Sequence, residues 1–276
     1  MATFNSRLPR GCQITTEKNY GDFKRPMRRG VSDTGYIARD FQAMPLGSFA
    51  GSRRMPRELI IPREVRREMV EERERKGLRL IDRLEKSKVF RLNQTPSWYC
   101  WCYAATNGVM GQLISQNEPP RMLVPESVAG PIKNYRKQGG WHTAAVAYMV
   151  QHGVADRSAW PWTSHTQANK RQYFEPSRAN AALTKVDEFW ELQTWDEKAS
   201  ALLLGHMCPD GYSYEGHATC SAELIWRDGQ EGCIDIDSYS RNGSFHARAR
   251  MGSRAMGHDP IALRSVTPNS LPGDAA

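Results

Sequence analysis

The sequence predicts an α+β fold with a helical half and an antiparallel β half. A helix-forming run extends from Tyr103 to Ile114, directly after a Cys-Trp-Cys segment. Far downstream, the alternating runs 222–226 and 233–239 flank a turn-forming Arg-Asp-Gly-Gln-Glu-Gly stretch and predict a β-hairpin. Hydrophobic residues make up 39% of the 276 residues, which is enough for a buried core.

The Cys-Trp-Cys segment suits a nucleophilic thiol. Cys100 precedes the predicted helix, and the positive end of a helix dipole lowers the pKa of a thiol placed there. Gln94, six residues upstream, can donate its amide N–H to the oxyanion formed when a thiolate attacks a carbonyl. Cys102 lies about 200° around the helix from Cys100, so we expect it in the core. The alternative is a buried Cys-Trp-Cys segment without chemistry.

A thiol nucleophile needs a base and a group that orients the base. His217 opens the first strand-like run, and the hairpin returns the chain so that Asp237 ends the second run near it. A carboxylate at that point can accept the imidazole N–H and fix its tautomer. Asn242 is a competing orienter, although the Asn-Gly pair that it begins is also common in turns.

Taken together, these residues resemble the papain-like cysteine peptidases. The family pattern is matched in order by Gln94 with Cys100-Trp101, Gly139-Gly140, Trp160-Pro161-Trp162, His217-Ala218 and Asp237-Ser238. The agreement runs from about Val89 to about Pro268, two thirds of the chain. Each motif alone is weak, but five motifs in the right order support the resemblance. It implies a two-lobed fold, with the nucleophile in the helical lobe and His and Asp in the β lobe.

The resemblance implies thiol-dependent hydrolysis of peptide bonds in a peptide or protein substrate, through a thioester intermediate. Cys100 would attack, His217 would carry the proton and Asp237 would orient His217. Gln94 and the Cys100 N–H would hold the oxyanion, and Gly139–Gly140 would bind the substrate backbone. No metal or organic cofactor is implied.

Two departures from the family pattern bear on this chemistry. The third member of the family's triad is usually Asn, and this chain has Asp237, whose carboxylate would hold an imidazolium more strongly than an amide does. Trp98 and Tyr99 replace the family's small residues before the nucleophile. We expect these two large rings to narrow or reshape the cleft.

Two other classes of function stay open. The first is a papain-fold structural or binding protein with weak or no catalysis, such as a virion or assembly component anchored by a basic N-terminal arm. The second is another cysteine acyl-transfer enzyme, an amidase or transglutaminase-like catalyst, since these share Cys, His and Asp in that order. Gln94 and Gly139–Gly140 argue against the second class.

Charge and composition divide the chain into three predicted parts. Residues 1–90 hold 21 Lys and Arg against 12 Asp and Glu, a net charge of +9, while the remainder, with 17 against 18, is near neutral. We expect a basic irregular arm over 1–57, a helical extension over 58–88 that breaks near Gly77, and a catalytic domain over 89–276. The arm is expected to bind an acidic partner, with nucleic acid the weaker candidate; an inhibitory prosegment is the alternative.

Two further segments of the catalytic domain have contrasting patterns. Thr163–Asp187 is polar and is predicted to be loop. The run from Trp195 to Leu204 is predicted to be a helix, because an Asp-Glu pair opens it and Gly205 ends it.

Cysteine usage favours a reducing compartment. Ser97 and Lys137 stand where secreted members of the family carry a disulfide, and the six cysteines show no metal-binding spacing. The first ten residues lack the apolar segment of a signal peptide, and nowhere do 18 apolar residues run together. We therefore expect a protein of the cytoplasm or of another reducing compartment, or a virion-associated protein, in each case without membrane contact.

Overall fold

The computed structural model describes residues 4–23, 35–90, 92–94, 97–160, 167–238 and 245–268. Its α-helices are α1 (Arg63–Arg75), α2 (Leu80–Ser87), α3 (Cys100–Ser115), α4 (Glu126–Ile132), α5 (His142–His152), α6 (Gln167–Ala181) and α7 (Trp195–Leu203). Its strands are β1 (Gln13–Thr15), β2 (Ser52–Arg54), β3 (Thr184–Glu191), β4 (Cys208–Tyr212), β5 (His217–Arg227), β6 (Gln230–Ile236), β7 (Ala247–Met251) and β8 (Ile261–Pro268). The α+β prediction is confirmed. Within the described ranges, no helix has both the length and the apolar character needed to cross a bilayer.

The strands form two sheets. One has five strands in the order β1-β7-β6-β5-β4, and the other has three in the order β2-β3-β8. The predicted hairpin consists of β5 and β6, joined by Asp228 and Gly229, both at positive φ. Such a two-residue turn matches the right-handed twist of the strands that it joins. Because β7 continues the sheet antiparallel to β6, alternate residues of all three strands point to a common face.

Helix α3 forms the centre of the helical half. Every residue from Cys100 to Ile114 is buried, as expected of a helix enclosed on all sides. It packs against β5 and β8, and two glycines let their neighbours approach its backbone. A Cβ at Gly108 would lie 2.8 Å from Pro209. One at Gly111 would lie 2.5 Å from Met207, so the helix is tightly held against the sheet.

The predicted loop over Thr163–Asp187 is wrong, since most of its described part is helix α6 and the start of β3. Few apolar residues mark α6, and Pro176 stands inside it. Its Tyr173 and Phe174 pack in a small cluster with Trp160, separate from the main core. A helix that depends on one short apolar contact leaves little periodic signal in its sequence.

The N-terminal arm is more ordered than the irregular segment that its composition predicts. Strand β1 pairs in parallel with β7, and β2 pairs in parallel with β3. Between them, Tyr36 is only 6% exposed and belongs to the main core. Backbone pairing and burial offset the entropy lost on ordering these segments. The described part of the arm therefore contains two short paired strands within otherwise irregular backbone. The basic arm and the domain divisions at residues 57 and 88 stay predictions.

A buried ion pair fixes the arm to the three-stranded sheet. Arg39 Nη1 lies 2.8 Å from Glu191 Oε1, and both side chains are almost fully buried. Arg39 also donates to the carbonyl oxygens of Met44 and Pro45. The second oxygen of Glu191 accepts the Gly47 N–H at 2.7 Å. One buried pair therefore organises the whole turn from residue 39 to residue 47.

Arg39→Met should lower the free energy of unfolding by about 3 to 5 kcal/mol, because it leaves the Glu191 carboxylate buried without its cation. Arg53→Met is the matched control, since Arg53 is exposed and a surface change has little effect. Chemical denaturation of both variants measures the difference. Equal, small losses in both would show that the arm does not depend on this ion pair.

Candidate active site

Cys100 is the first residue of α3, where the backbone N–H groups of the first turn point out of the helix end. The turn into the helix is made by Trp98, whose φ of 58° is rare for a bulky residue. Tyr99 packs edge-on against Trp101 and donates its hydroxyl to the carbonyl of Arg136. The expectation that both rings narrow the cleft is corrected: Tyr99 is core, and only Trp98, at 37% exposure, can line an open surface.

His217 and Asp237 lie side by side, as the hairpin predicts. His217 Nε2 is 2.8 Å from Asp237 Oδ1, and both side chains are buried. In the β5–β6 pair, Ile236 lies opposite Cys220. Asp237, the next residue after Ile236, therefore comes close to the start of β5. Helix α3 packs on that same strand. Because Nε2 is engaged by the carboxylate, a proton exchange between this ring and a thiol would have to use Nδ1.

The carboxylate of Asp237 belongs to a row of buried polar side chains, which we call the polar ladder. Its residues alternate along β5, β6 and β7 and so share one face of the sheet. The members are His217, Thr219, Ser221, Asp235, Arg248 and Arg250, together with Glu215 just before β5 and Asp237 just after β6. All of them are buried.

The polar ladder is connected by short ion pairs. Arg250 lies 2.5 Å from Asp235 and 2.6 Å from Glu215. Arg248 lies 2.7 Å from Glu215 and 3.5 Å from Asp237. The pairs therefore form a continuous path to the carboxylate that holds the imidazole, and such outer contacts orient the groups that act directly.

Charge in the polar ladder is nearly balanced. Burial raises the pKa of Asp237, but His217, the hydrogen bond from its ring and Arg248 outweigh burial and hold the pKa well below its ordinary value. For Glu215, burial is likewise outweighed, chiefly by the charge of Arg250, so its pKa is lowered. Three carboxylates face two guanidinium groups, which leaves one net negative charge. That charge can stabilise an imidazolium when His217 takes a proton from a thiol.

Gln94 is buried and is held by the residue that follows Asp237. The Ser238 hydroxyl donates to Gln94 Oε1, and the Gln94 backbone N–H donates to the Ser238 carbonyl at 3.0 Å. Because Ser238 binds Gln94 Oε1, the NH₂ group of the Gln94 amide points away from Ser238. That NH₂ group is the one that would donate to an oxyanion. The sequence did not predict this contact; its only signal was the position of Ser238 directly after the orienter.

In the glycine pair Gly139–Gly140, the backbone of Gly140 is already paired with another segment. The Gly140 N–H donates to the Gly35 carbonyl at 2.9 Å, and the Ile37 N–H donates to the Gly140 carbonyl at 3.2 Å. These bonds make a parallel bridge between Tyr36 and Gly140. We call Gly35–Ile37 the strap. The backbone groups of Gly140, one of the two glycines predicted to bind substrate, are thus occupied by the chain's own N-terminal arm.

Glycine is needed on both sides of this contact. A Cβ at Gly140 would lie 2.7 Å from the Trp101 ring. A Cβ at Gly139 would lie 2.5 Å from the Gly35 carbonyl oxygen. A Cβ at Gly35 itself, whose φ is 91°, would collide with the Trp98 carbonyl. Gly140 therefore leaves room for the Trp101 ring, and Gly139 leaves room for the strap.

Of the predicted site residues, the structure brings His217 into contact with Asp237, and Gln94 into contact with Ser238.

Asn242, the alternative orienter, lies outside the described residues. The sequence did not single out Arg248, although the alternating Ala-Arg-Ala-Arg of β7 carries a period-two signal. Among the described residues, no group of three or more His, Cys, Asp or Glu could hold a metal ion.

The fold is the two-lobed fold of papain-like proteases. Xylellain, a cysteine protease from Xylella fastidiosa, is similar with a TM-score of 0.56 and 13% identity, over 87% of this chain and 99% of that one. Procathepsin B S9 from Trypanosoma congolense has a TM-score of 0.54 and 10% sequence identity, and the match covers 86% of this chain and 88% of that one. A digestive procathepsin L 3 from the Tenebrio molitor larval midgut has a TM-score of 0.50 and 16% sequence identity. The match covers 65% of this chain and 66% of the procathepsin, so this chain spans just under two thirds of that protein's length.

These similarities establish the fold alone, since identity does not exceed 16%. No protein-family model matches the sequence, and no curated protein matches it. The fold implied by the ordered motifs is confirmed, with Cys100 in the helical lobe and His217 and Asp237 in the β lobe.

Asp237→Asn should destabilise the protein most near neutral pH. Because the folded-state pKa of Asp237 is lowered, its carboxylate adds stability above the unfolded value of about 3.9, and this is lost as pH falls towards the folded pKa. The gap in unfolding free energy between wild type and variant should therefore narrow below about pH 4. Urea titrations across this range measure it, with the exposed Asp22→Asn as control. A gap that widens in acid would contradict the lowered pKa.

Proposed function

We propose that the protein is a papain-like cysteine peptidase, kept latent by its own strap. The observation that carries the proposal is the 2.8 Å contact between His217 and Asp237 at the start of β5, the strand on which the helix beginning at Cys100 packs. Similarity of fold to cysteine proteases supports the same class. The reaction is hydrolysis of a peptide bond through a thioester.

In the proposed reaction, His217 Nδ1 accepts the proton of the Cys100 thiol, and the thiolate attacks the substrate carbonyl carbon. The electron pair of the C=O bond moves to oxygen, where the Gln94 amide and the Cys100 N–H stabilise it. His217 then gives the proton to the leaving amine as the C–N bond breaks and the thioester forms. Water, deprotonated by His217, hydrolyses the thioester and restores the thiol.

Asp237 keeps the imidazole in the tautomer that this sequence of steps needs. Its Oδ1 accepts from His217 Nε2 and from the Ser238 N–H, and its other oxygen faces Arg248. The carboxylate is therefore held from three sides and cannot turn away from the ring. The other members of the polar ladder support Asp237 indirectly, through the contacts of Arg248 with Asp237 and Glu215.

A papain-fold binding protein without hydrolysis is the second candidate. The observation in its favour is the strap, because Gly35 and Ile37 already bond the backbone edge that a substrate would use. A latent enzyme and a binding protein differ in one respect. Displacing the strap should expose a reactive thiol only in the enzyme.

Gly35→Ala tests this difference, because the new Cβ collides with the Trp98 carbonyl and should expel the strap. The variant should react with an epoxide thiol-protease probe faster than wild type. Gly47→Ala is the matched control: its φ of 82° is similarly unfavourable for Ala, but nothing lies within 4 Å of the added Cβ. In the Gly35→Ala background, Cys100→Ala should abolish labelling, whereas Cys102→Ala should not. Cys102 Sγ is buried 3.1 Å from the Pro125 carbonyl.

Mass mapping of the labelled protein decides the outcome. Labelling at Cys102 would mean that the nucleophile is misassigned. If Gly35→Ala folds but is labelled at neither cysteine, the binding protein is the better description.

Asp237→Ala should reduce kcat of the strap-released enzyme by about tenfold or more, since the imidazole loses its orienter. Asp237→Asn should retain much of the activity, because an amide oxygen can still accept the ring N–H. Steady-state hydrolysis of a fluorogenic peptide measures both. A larger loss in Asn242→Ala than in Asp237→Ala would identify Asn242 as the orienter instead.

A further inference from the structure

A cavity of about 690 Å³ lies where the turn that follows the strap meets the rest of the protein. Four segments that are far apart in the chain line it: the turn over 41–46, the end of β2, the two residues after β3, and residues 256–258. Its volume is within the usual range of ligand pockets. None of its lining residues has a part in the proposed reaction. We call it the arm cavity.

The walls of the arm cavity are held by hydrogen bonds. On one side, the Arg39 guanidinium donates to the Met44 and Pro45 carbonyls, at 2.9 and 2.7 Å. On the other side, the Gly257 N–H donates to Asp210 Oδ2 at 2.8 Å. The arm cavity is therefore formed before any ligand enters, which lowers the entropy cost of binding.

Most of the lining is apolar. Phe41 is 37% exposed, which is unusual for a large hydrophobic side chain. Its ring is nevertheless held in place, 5.5 Å from the His258 ring and 4.8 Å from the guanidinium carbon of Arg39. The apolar lining residues are Phe41, Pro45, Leu46, Leu192 and Met256. A hydrocarbon chain placed among them would be removed from water.

One lining residue carries a charge that is not compensated. Arg54 is exposed and forms no ion pair among the described residues. Its neighbour across the β2–β3 pair is Glu191, but both oxygens of that carboxylate are already bound, by Arg39 and by a backbone N–H. Asp210, behind the cavity wall, is paired with Lys198 at 2.7 Å. Arg54 therefore leaves the arm cavity with one positive charge for a ligand to neutralise.

This charge selects the head group of the ligand. A guanidinium group binds a carboxylate through two parallel hydrogen bonds, and one guanidinium matches its single negative charge. Gln193 and His258, the other polar lining residues, can add hydrogen bonds. A cationic head group would be repelled by Arg54. Charge and lining together therefore favour a carboxylic acid with an apolar body.

The arm cavity is joined to the strap by a short run of chain. Phe41 follows Ile37, the last residue of the strap, by four residues. His258 links this run to the opposite wall, because its Nε2 lies 3.0 Å from the Arg39 carbonyl oxygen. A ligand that touches Phe41 on one side and Leu192 on the other would add to the contacts that hold this run in place.

We propose that the arm cavity binds a carboxylic acid with an apolar chain, and that the bound acid holds the strap against the glycine pair. The carboxylate pairs with Arg54, and the chain fills the space among the apolar lining residues. Release of the strap separates the cavity walls, so that ligand binding and strap release oppose each other. Binding of the acid does not depend on the proposed peptidase activity.

Calorimetric titration with octanoate tests the choice of head group. Octanoate should bind much more tightly than octylammonium, and Arg54→Gln should weaken octanoate binding by about tenfold. Arg53→Gln is the matched control and should bind as wild type, because neighbouring strand residues point to opposite faces and Arg53 does not line the cavity. Equal weakening in both variants, or equal binding of octylammonium, would overturn the proposal.

A series of chain lengths tests whether the apolar body is buried. Each CH₂ group added between hexanoate and decanoate should tighten binding about fourfold if the chain leaves water. An affinity that does not depend on chain length would mean an adventitious contact with Arg54 only, and would overturn the proposal.

Hydrogen–deuterium exchange at the Ile37 and Gly140 amides measures strap occupancy, because both amides donate across the bridge. Octanoate at ten times its dissociation constant should slow both by about tenfold, since the strap leaves only after the ligand does. The same concentration should slow them only about twofold in Arg54→Gln. Unchanged exchange in octanoate-saturated wild type would overturn the coupling. These readouts need no hydrolysis, so a failure of the proposed activity is seen separately, as unlabelled Cys100 in Gly35→Ala.

Discussion

The candidate site depends on the register of β5, β6 and β7. Buried carboxylates and guanidinium groups are tolerated only when they are paired, and in this sheet they pair only in one register. A slip by one residue would turn His217 and Asp237 to opposite faces of the sheet and leave Arg250 without its carboxylates. The ion pairs that fix the register of these strands therefore also hold Asp237, which orients the His217 imidazole.

Two other parts of the candidate site, helix α3 and the strap, differ in how firmly they are held. Helix α3 is buried along almost its whole length, so the start of the helix cannot shift independently of the sheet. The strap is different, because two backbone hydrogen bonds and one aromatic ring hold it against the glycine pair. Contacts of that number can break locally while the rest of the fold stays intact. The molecule thus combines a rigidly held candidate site with a strap that is easier to displace.

Part of this arrangement could be predicted from the sequence, and the reasons differ by element. Helix α3 and the β5–β6 hairpin carry strong local signals, an apolar run and a turn-forming pair at positive φ. Helix α6 does not, since its packing depends on a few residues and on a cluster formed by distant parts of the chain. The two short strands of the arm were not predicted for a related reason: they are stabilised by backbone pairing with β7 and β3, which side-chain composition does not encode.

The sequence by itself determined the order and types of the chemical groups, because Cys100 and His217 each begin an element, Asp237 directly follows one, and Gln94 stands six residues before Cys100. It also determined that one segment must turn tightly at Asp228 and that a glycine pair follows the helix that begins at Cys100. Only the tertiary structure decided how these groups are held and what covers them. Ion pairing between strands and the seating of Tyr36 against Gly211 join residues that are far apart in the chain. Such contacts form only after the chain has folded, and no local pattern in the sequence specifies them.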